Sequence, residues 1–114
     1  MKRFIVALLA LALSGCAASN GEYAKGSGKT LAISKDIWSS YQSYLESVGS
    51  TRPGAYVVSV DGTGSAWTWC DDLRCLSGDG YAAEALKDCR RAYGMDCVVF
   101  GRNSDIVVNY EVVE

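Results

Sequence analysis

The sequence predicts an α+β domain in which two helices pack on one face of a small antiparallel four-stranded sheet and disulfide bonds stabilise the domain. Two segments have apolar residues at helical spacing. Two pairs of short segments rich in β-branched residues are separated by turn residues. Four cysteines lie in the same part of the chain. The segments follow one another as helix, hairpin, helix, hairpin, and placing both helices on one face is the simplest way to bury both apolar stripes.

The first predicted helix begins after Ser34, a residue type that caps helix N-termini well. Asp36 then lies in the first turn, where the helix dipole favours a negative charge. Gly49 and the Arg52-Pro53-Gly54 segment end the helix. The residues expected on its buried stripe are Ile37, Trp38, Tyr41, Leu45 and Val48.

The first predicted hairpin joins residues 55–60 to residues 65–70 through a glycine-rich turn that starts at Asp61. Side chains alternate between the two faces of a strand. Trp67 and Trp69 therefore share one face of the second strand. The smaller residues Ala66, Thr68 and Cys70 share the other.

The second predicted helix spans residues 81–93 and ends before Gly94. Its outer face is charged, and its expected buried stripe consists of Ala82, Ala85, Leu86, Cys89 and Tyr93. A strand over residues 97–100, a turn over 101–105 and a strand over 106–113 form the second predicted hairpin.

The N-terminal segment has the pattern of an export signal. Lys2 and Arg3 precede an apolar run, Phe4–Leu13, of about ten residues, whereas a transmembrane helix needs about 20. Leu13-Ser14-Gly15-Cys16 then resembles the bacterial lipobox. That resemblance implies cleavage before Cys16 and attachment of diacylglycerol to its thiol, with a further acyl chain such as palmitate on the new amine in Gram-negative bacteria.

The resemblance divides the chain into three parts: a signal peptide over residues 1–15, a lipidated cysteine with a flexible tether over 16–30, and one small domain over 31–114. Residues 17–30 are small and polar, so the tether should span about 20 Å on average. Ala17, rather than Asp, at the position after the lipidated cysteine favours the outer membrane by resemblance to the sorting pattern of enteric bacteria. The expected location is therefore the periplasmic side of the outer membrane.

Assigning Cys16 to lipid leaves an even set of four cysteines, which are expected to pair in the oxidising cell envelope. Three pairings are open to them. Cys70–Cys75 and Cys89–Cys97 are favoured because each closes a short loop, and each bond should contribute about 2–3 kcal/mol. The alternative is a zinc site formed by all four, but their spacing is poor for zinc and the compartment favours oxidation.

The segment from Pro53 to Phe100 combines the Pro53–Ser59 strand, Trp69-Cys70 with Cys75, and a helix of Ala-Leu-x-x-Cys type followed by Gly-x-x-Cys and an apolar strand. With these features it resembles small secreted or lipid-anchored domains of alphaproteobacteria. This resemblance implies architecture and brings no catalytic residues. A shorter string, Ser77-Gly78-Asp79-Gly80-Tyr81, resembles the S-G-x-x-Y motif of membrane-bound lysozyme inhibitors. The alternative is that these residues cap the second helix.

Composition excludes several kinds of chemistry. The chain has no histidine, which removes Ser-His-Asp and Cys-His nucleophiles and the H-E-x-x-H zinc site. Loss of Lys2 and Arg3 with the signal reduces eleven basic residues to nine against thirteen acidic ones, a net charge of −4. This charge does not favour nucleic acid. No cofactor or metal is expected, and the adjacent Asp71 and Asp72 are more typical of a solvated turn than of a catalytic pair.

Two hypotheses for function follow. The first is a lipid-anchored, non-enzymatic binding or structural module that contacts an envelope protein or a glycan. Its candidate binding face consists of Trp67 and Trp69 with Tyr56 or Tyr110, although the tryptophans could instead form the core face of the sheet. The second is a small envelope enzyme that uses carboxylate or tyrosine chemistry, or an inhibitor of a periplasmic enzyme.

Overall fold

The computed structural model describes residues 21–48, 53–69 and 80–114. These residues form an α+β structure with two helices, a four-stranded antiparallel sheet and a parallel pair of strands. After a short 3-10 helix, Gly21–Tyr23, the elements in chain order are β1 (Leu31–Ser34), α1 (Lys35–Val48), β2 (Gly54–Ser59), β3 (Ser65–Trp69), α2 (Gly80–Tyr93), β4 (Cys97–Arg102), β5 (Asp105–Ile106) and β6 (Tyr110–Val113).

The four-stranded sheet has the order β3-β2-β4-β5, with every neighbouring pair antiparallel. The β2–β3 hairpin is present as predicted. The pairing of β2 with β4 shifts by one residue: Tyr56 lies opposite Gly101, whereas Val57 lies opposite Val99. Phe100 is therefore the extra residue of a β-bulge.

The two helices lie on opposite faces of this sheet, so the prediction that both pack on one face is wrong. In β2, Tyr56 and Val58 belong to the apolar cluster that α1 contributes to, whereas Val57 belongs to a second cluster with Ala85 and Leu86 of α2. Every residue of β2 is buried. Strands covered on both faces have nearly continuous apolar sequences, and those of β2 and β4 follow that pattern.

Helix α1 follows its prediction closely. The backbone N–H of Ile37 donates to Ser34 Oγ over 3.2 Å, which is the expected N-terminal cap. Of the predicted stripe, Ile37, Tyr41 and Val48 are buried, while Trp38 and Leu45 are half-buried against the same core. Tyr44 was not predicted to be buried, yet it is fully buried.

Helix α2 buries four residues of its predicted stripe: Ala82, Ala85, Leu86 and Cys89. The fifth, Tyr93, is 43% exposed, so its assignment to the stripe is wrong. Tyr93 is the last residue of the helix, and its hydroxyl donates to the carbonyl of Ser65, the first residue of β3, over 3.1 Å. The ring lies over Gly64, which has no side chain to obstruct it.

The predicted strand over residues 106–113 is divided in the structure. Its start belongs to β5, and its end forms β6, which pairs in parallel with β1. Strand β1 was not predicted, although it buries Leu31 and Ile33 in alternation. Its backbone approaches the β2–β3 turn so closely that a Cβ on Gly62 would lie 1.8 Å from the carbonyl oxygen of Ala32. The φ angle of +78° at Gly62 also favours glycine.

The disulfide between Cys89 and Cys97 is present and joins α2 to the first residue of β4. Both residues are fully buried in the smaller apolar cluster. This pair is confirmed. The predicted Cys70–Cys75 bond, the lipidation site Cys16 and the signal peptide lie outside the described residues.

Candidate aromatic binding surface

A chain of seven aromatic rings runs across the α1 face of the sheet. Neighbouring ring centroids along it lie between 5.0 and 6.2 Å apart, the range in which aromatic pairs attract each other. Helix α1 supplies three of these rings, and the strands supply the remainder. The seven residues, named here the aromatic cluster, are Trp67, Tyr56, Tyr44, Tyr41, Phe100, Tyr110 and Trp38.

The central tyrosines of the aromatic cluster are held neutral by their surroundings. The Tyr44 hydroxyl donates to the carbonyl of Asn103 over 2.6 Å, and the Tyr56 hydroxyl donates to the carbonyl of Ile37 over 3.2 Å. Burial raises the pKa of Tyr41 to about 12 and also raises the pKa of Tyr44 and Tyr56, because a buried phenolate loses its hydration. All three groups are phenols at neutral pH, as an exposed tyrosine is, and the raised pKa values make phenolate formation harder still.

The cluster reaches the surface at β3. Trp67 is half-buried and stacks on Tyr56, with ring centroids 5.6 Å apart and ring planes 25° apart. Trp69, two residues further along the strand, is 41% exposed. Strand β3 is an edge strand of the four-stranded sheet. An exposed indole thus lies beside a second indole that the core holds in place.

Asn103 and Gly54 fix the backbone opposite Trp69. Gly54 is the cross-strand partner of Trp69, and its N–H donates to Asn103 Oδ1 over 3.1 Å. The N–H of Asn103 in turn donates to the Gly54 carbonyl over 2.7 Å. A Cβ on Gly54 would lie 2.7 Å from Val48 Cγ1, so glycine lets this strand approach α1. Trp69 therefore projects from a tightly packed corner.

The four residues of the predicted binding face do not form one surface. Tyr56 is completely buried beneath Trp67, so it supports the face without being exposed on it. Tyr110 stacks on Trp38 at the other end of the aromatic cluster, with centroids 5.5 Å apart. Trp67 is partly core and partly surface. Among the four, Trp69 is the residue whose exposure best fits a contact with a partner.

Sequence reasoning missed Tyr44, which contacts the rings of both Tyr56 and Trp67. The signal was present, because Ile37, Tyr41, Tyr44 and Val48 follow the 4-3-4 spacing of one helix face. Nothing in the sequence indicated that Asn103 lies near Trp69. The two residues are distant in sequence, and both contact Gly54 only once the sheet has formed.

The carboxylate of Asp61 stabilises the β2–β3 turn. Asp61 accepts hydrogen bonds from Ser59 Oγ over 2.6 Å and from both the hydroxyl and the N–H of Thr63. These bonds lower the pKa of Asp61, because they stabilise the charged carboxylate. Within residues 21–48, 53–69 and 80–114, no three histidine, cysteine, aspartate or glutamate side chains are placed to hold a metal ion. Asp71 and Asp72 lie outside these residues.

Gly80 and Tyr81 of the S-G-x-x-Y string begin α2, the position that the capping interpretation gives them, and residues 77–79 lie outside the described part. Comparisons with protein-family models, with curated proteins and with solved structures returned no match. Among the described residues, neither helix has the length and apolar character needed to cross a membrane.

Proposed function

We propose that this chain is a lipid-anchored binding module of the bacterial cell envelope, attached to the membrane through Cys16. The lipobox-like Leu13-Ser14-Gly15-Cys16 segment supports the anchor. A buried disulfide between Cys89 and Cys97 is consistent with folding in an oxidising compartment. The proposed partner is an envelope protein or a glycan.

The observation that supports binding most directly is the exposure of Trp69 beside Trp67. Indole side chains contribute strongly to interfaces, because they bury a large area and also stack on sugar rings. The hydrogen bonds of Gly54 and the stacking of Trp67 on Tyr56 order this corner before a partner arrives. A preordered surface loses less conformational entropy on binding, which favours affinity.

The anchor is tested by changing Cys16→Ser in cells fed a radioactive fatty acid. The wild-type protein should carry the label and sediment with membranes. The variant should lose the label and leave the membrane fraction. Labelling that persists in the variant would contradict the anchor.

The binding surface is tested by crosslinking in native envelopes, comparing wild type with Trp69→Ala. A central tryptophan contributes about 2 kcal/mol or more, so partner affinity should fall at least about 30-fold. Tyr93→Ala is the matched control, because Tyr93 is equally exposed at 43% but lies on α2. Equal capture by wild type and the Trp69 variant, with the folded state of both verified by circular dichroism, would refute this surface.

A further inference from the structure

Residues 21–30, named here the strap, are docked on the domain, which corrects the prediction of a flexible tether for this part of the chain. The N–H of Lys25 donates to the carbonyl of Val107 over 3.2 Å, and the N–H of Asn109 donates to the carbonyl of Tyr23 over 2.9 Å. Ala24 and Val108 form an antiparallel bridge between these bonds. The Tyr23 side chain packs against the larger apolar cluster.

The side-chain amide of Asn109 holds the strap in its folded form. Asn109 Nδ2 lies 3.2 Å from the carbonyl oxygen of Ala24, 3.0 Å from that of Ser27 and 3.3 Å from that of Lys29. Ser27 Oγ is a fourth neighbour at 3.4 Å. Carbonyl oxygens only accept hydrogen bonds, so the amide must present its NH₂ group here. A carboxylate in its place would face three carbonyl oxygens without a proton to share.

The strap also makes contacts within itself. Lys29 Nζ lies 3.0 Å from Glu22 Oε1 and 5.4 Å from the centre of the Tyr23 ring. Ser27 Oγ donates to the carbonyl of Glu22 over 2.8 Å. These contacts fold the strap back on itself, and the N–H of Ala24 donates to the carbonyl of Gly21 over 3.4 Å, which holds Gly21 close to the docked part of the strap.

Docking the strap shortens the free chain between anchor and domain. A flexible tether over residues 17–30 would span about 20 Å on average, but with the strap docked only five peptide units separate Cys16 from Gly21. Five units span about 12 Å on average as a flexible chain, and about 17 Å when fully extended. The strap is therefore within reach of the headgroups of the bilayer that holds the Cys16 acyl chains.

We propose that the strap face of the domain lies on the lipid headgroups of that bilayer, with Asn109 maintaining the contact. This inference rests on the lipid anchor proposed above. The bilayer is the surface we expect to cover the strap face, because only five peptide units connect Gly21 to the lipidated Cys16. Lys25 is exposed on the strap, and an ammonium group at this position is attracted to lipid phosphates.

The test uses the full-length lipidated protein in supported bilayers of phosphatidylethanolamine and phosphatidylglycerol, with neutron reflectometry to measure any water layer between headgroups and protein. Wild type should adjoin the headgroups directly. Asn109→Asp should release the strap and introduce a water layer on the order of 10 Å, the difference in mean span between the long and short tethers. Hydrogen exchange of residues 21–30 should rise at least tenfold in the same variant.

Asn103→Asp is the matched control. It makes the same change of charge, but Asn103 uses its side-chain oxygen to accept a hydrogen bond from Gly54, and aspartate retains that acceptor. The control should behave like wild type in both measurements. A wild-type water layer as thick as that of Asn109→Asp would overturn the proposal, as would rapid exchange of the wild-type strap. Mass spectrometry of the purified protein tests the anchor separately, because a protein that lacks the mass of the acyl chains refutes the proposed lipid anchor. Docking of the strap can still be measured in that case, by hydrogen exchange of residues 21–30 in solution.

Discussion

Replacing Tyr41 by phenylalanine should stabilise the domain, whereas the same replacement at Tyr44 should destabilise it. Both residues are buried on the same face of α1, and both changes remove one hydroxyl and leave the ring in place. The Tyr41 ring would keep its edge contacts with Tyr56 and Phe100, at 5.2 and 5.0 Å between centroids. The two variants therefore differ mainly in what each hydroxyl does.

The Tyr41 hydroxyl is buried and has no hydrogen-bond partner among the described residues. A buried polar group without a partner costs about 1–3 kcal/mol, so its removal should stabilise the fold by about 1 kcal/mol. The Tyr44 hydroxyl donates to Asn103 over 2.6 Å. Its removal loses that bond and leaves a carbonyl unsatisfied, which should cost about 1–1.5 kcal/mol.

Urea denaturation followed by circular dichroism measures both effects. With a slope of about 1 kcal/mol per M for a domain of this size, the two midpoints should differ by about 2 M. Tyr56→Phe should lie near Tyr44→Phe, because the Tyr56 hydroxyl donates to Ile37. If Tyr41→Phe lowered the midpoint as much as Tyr44→Phe does, the Tyr41 hydroxyl would have a partner in solution and the reasoning would be refuted.

Three further predictions concern the covalent link, one turn and alkaline pH. Replacing Cys89 and Cys97 together by alanine should lower the free energy of unfolding by about 2.5 kcal/mol, because the bond closes a short loop in the unfolded chain. The loss should appear as a lower urea midpoint, and an unchanged midpoint would contradict the prediction. Gly62→Ala should lower the free energy of unfolding by more than about 3 kcal/mol in the same assay. Gly26 has a similar φ of +89° but open space around it, so Gly26→Ala should cost only about 1 kcal/mol. Equal losses would mean that the φ angle, and not the close approach of Ala32, determines the cost at Gly62. Because the pKa of Tyr41 is raised from 10.0 in the unfolded chain to about 12 in the fold, the unfolded chain loses this proton first, so stability is independent of this group below pH 10 and falls as pH rises towards about 12. Unfolding at stepped alkaline pH should show a weaker decline in Tyr41→Phe than in wild type, and parallel declines would refute this pH dependence.

Local elements could be predicted because their causes are local. Ser34 caps α1 through a hydrogen bond to a residue three positions away, and the Asp61 turn closes through Ser59 and Thr63. The Cys89–Cys97 pair spans eight positions. In each case the interacting groups are close in the sequence, so their spacing alone indicates the contact.

The candidate site was predictable only in part. Alternation along β3 correctly placed Trp67 and Trp69 on one face. It did not distinguish a tryptophan covered by Tyr56 from one left 41% exposed. That distinction depends on where α1 ends above the sheet, and no residue of β3 encodes it. Tyr110 lies instead beside Trp38, because it belongs to β6, which pairs with β1 outside the four-stranded sheet.

The sequence by itself determined that two amphipathic helices and a β2–β3 hairpin form, and that one disulfide closes a short loop. Tertiary structure decided which side of the sheet each helix covers. The continuous apolar sequence of β2 indicates that both faces of the strand are buried, but it does not indicate which helix covers which face. Tertiary structure also decided the division of the last strand between β5 and β6 and the docking of the strap. Those features depend on hydrogen bonds such as that between Asn109 and Ala24, which are 85 residues apart and meet only once the chain has folded.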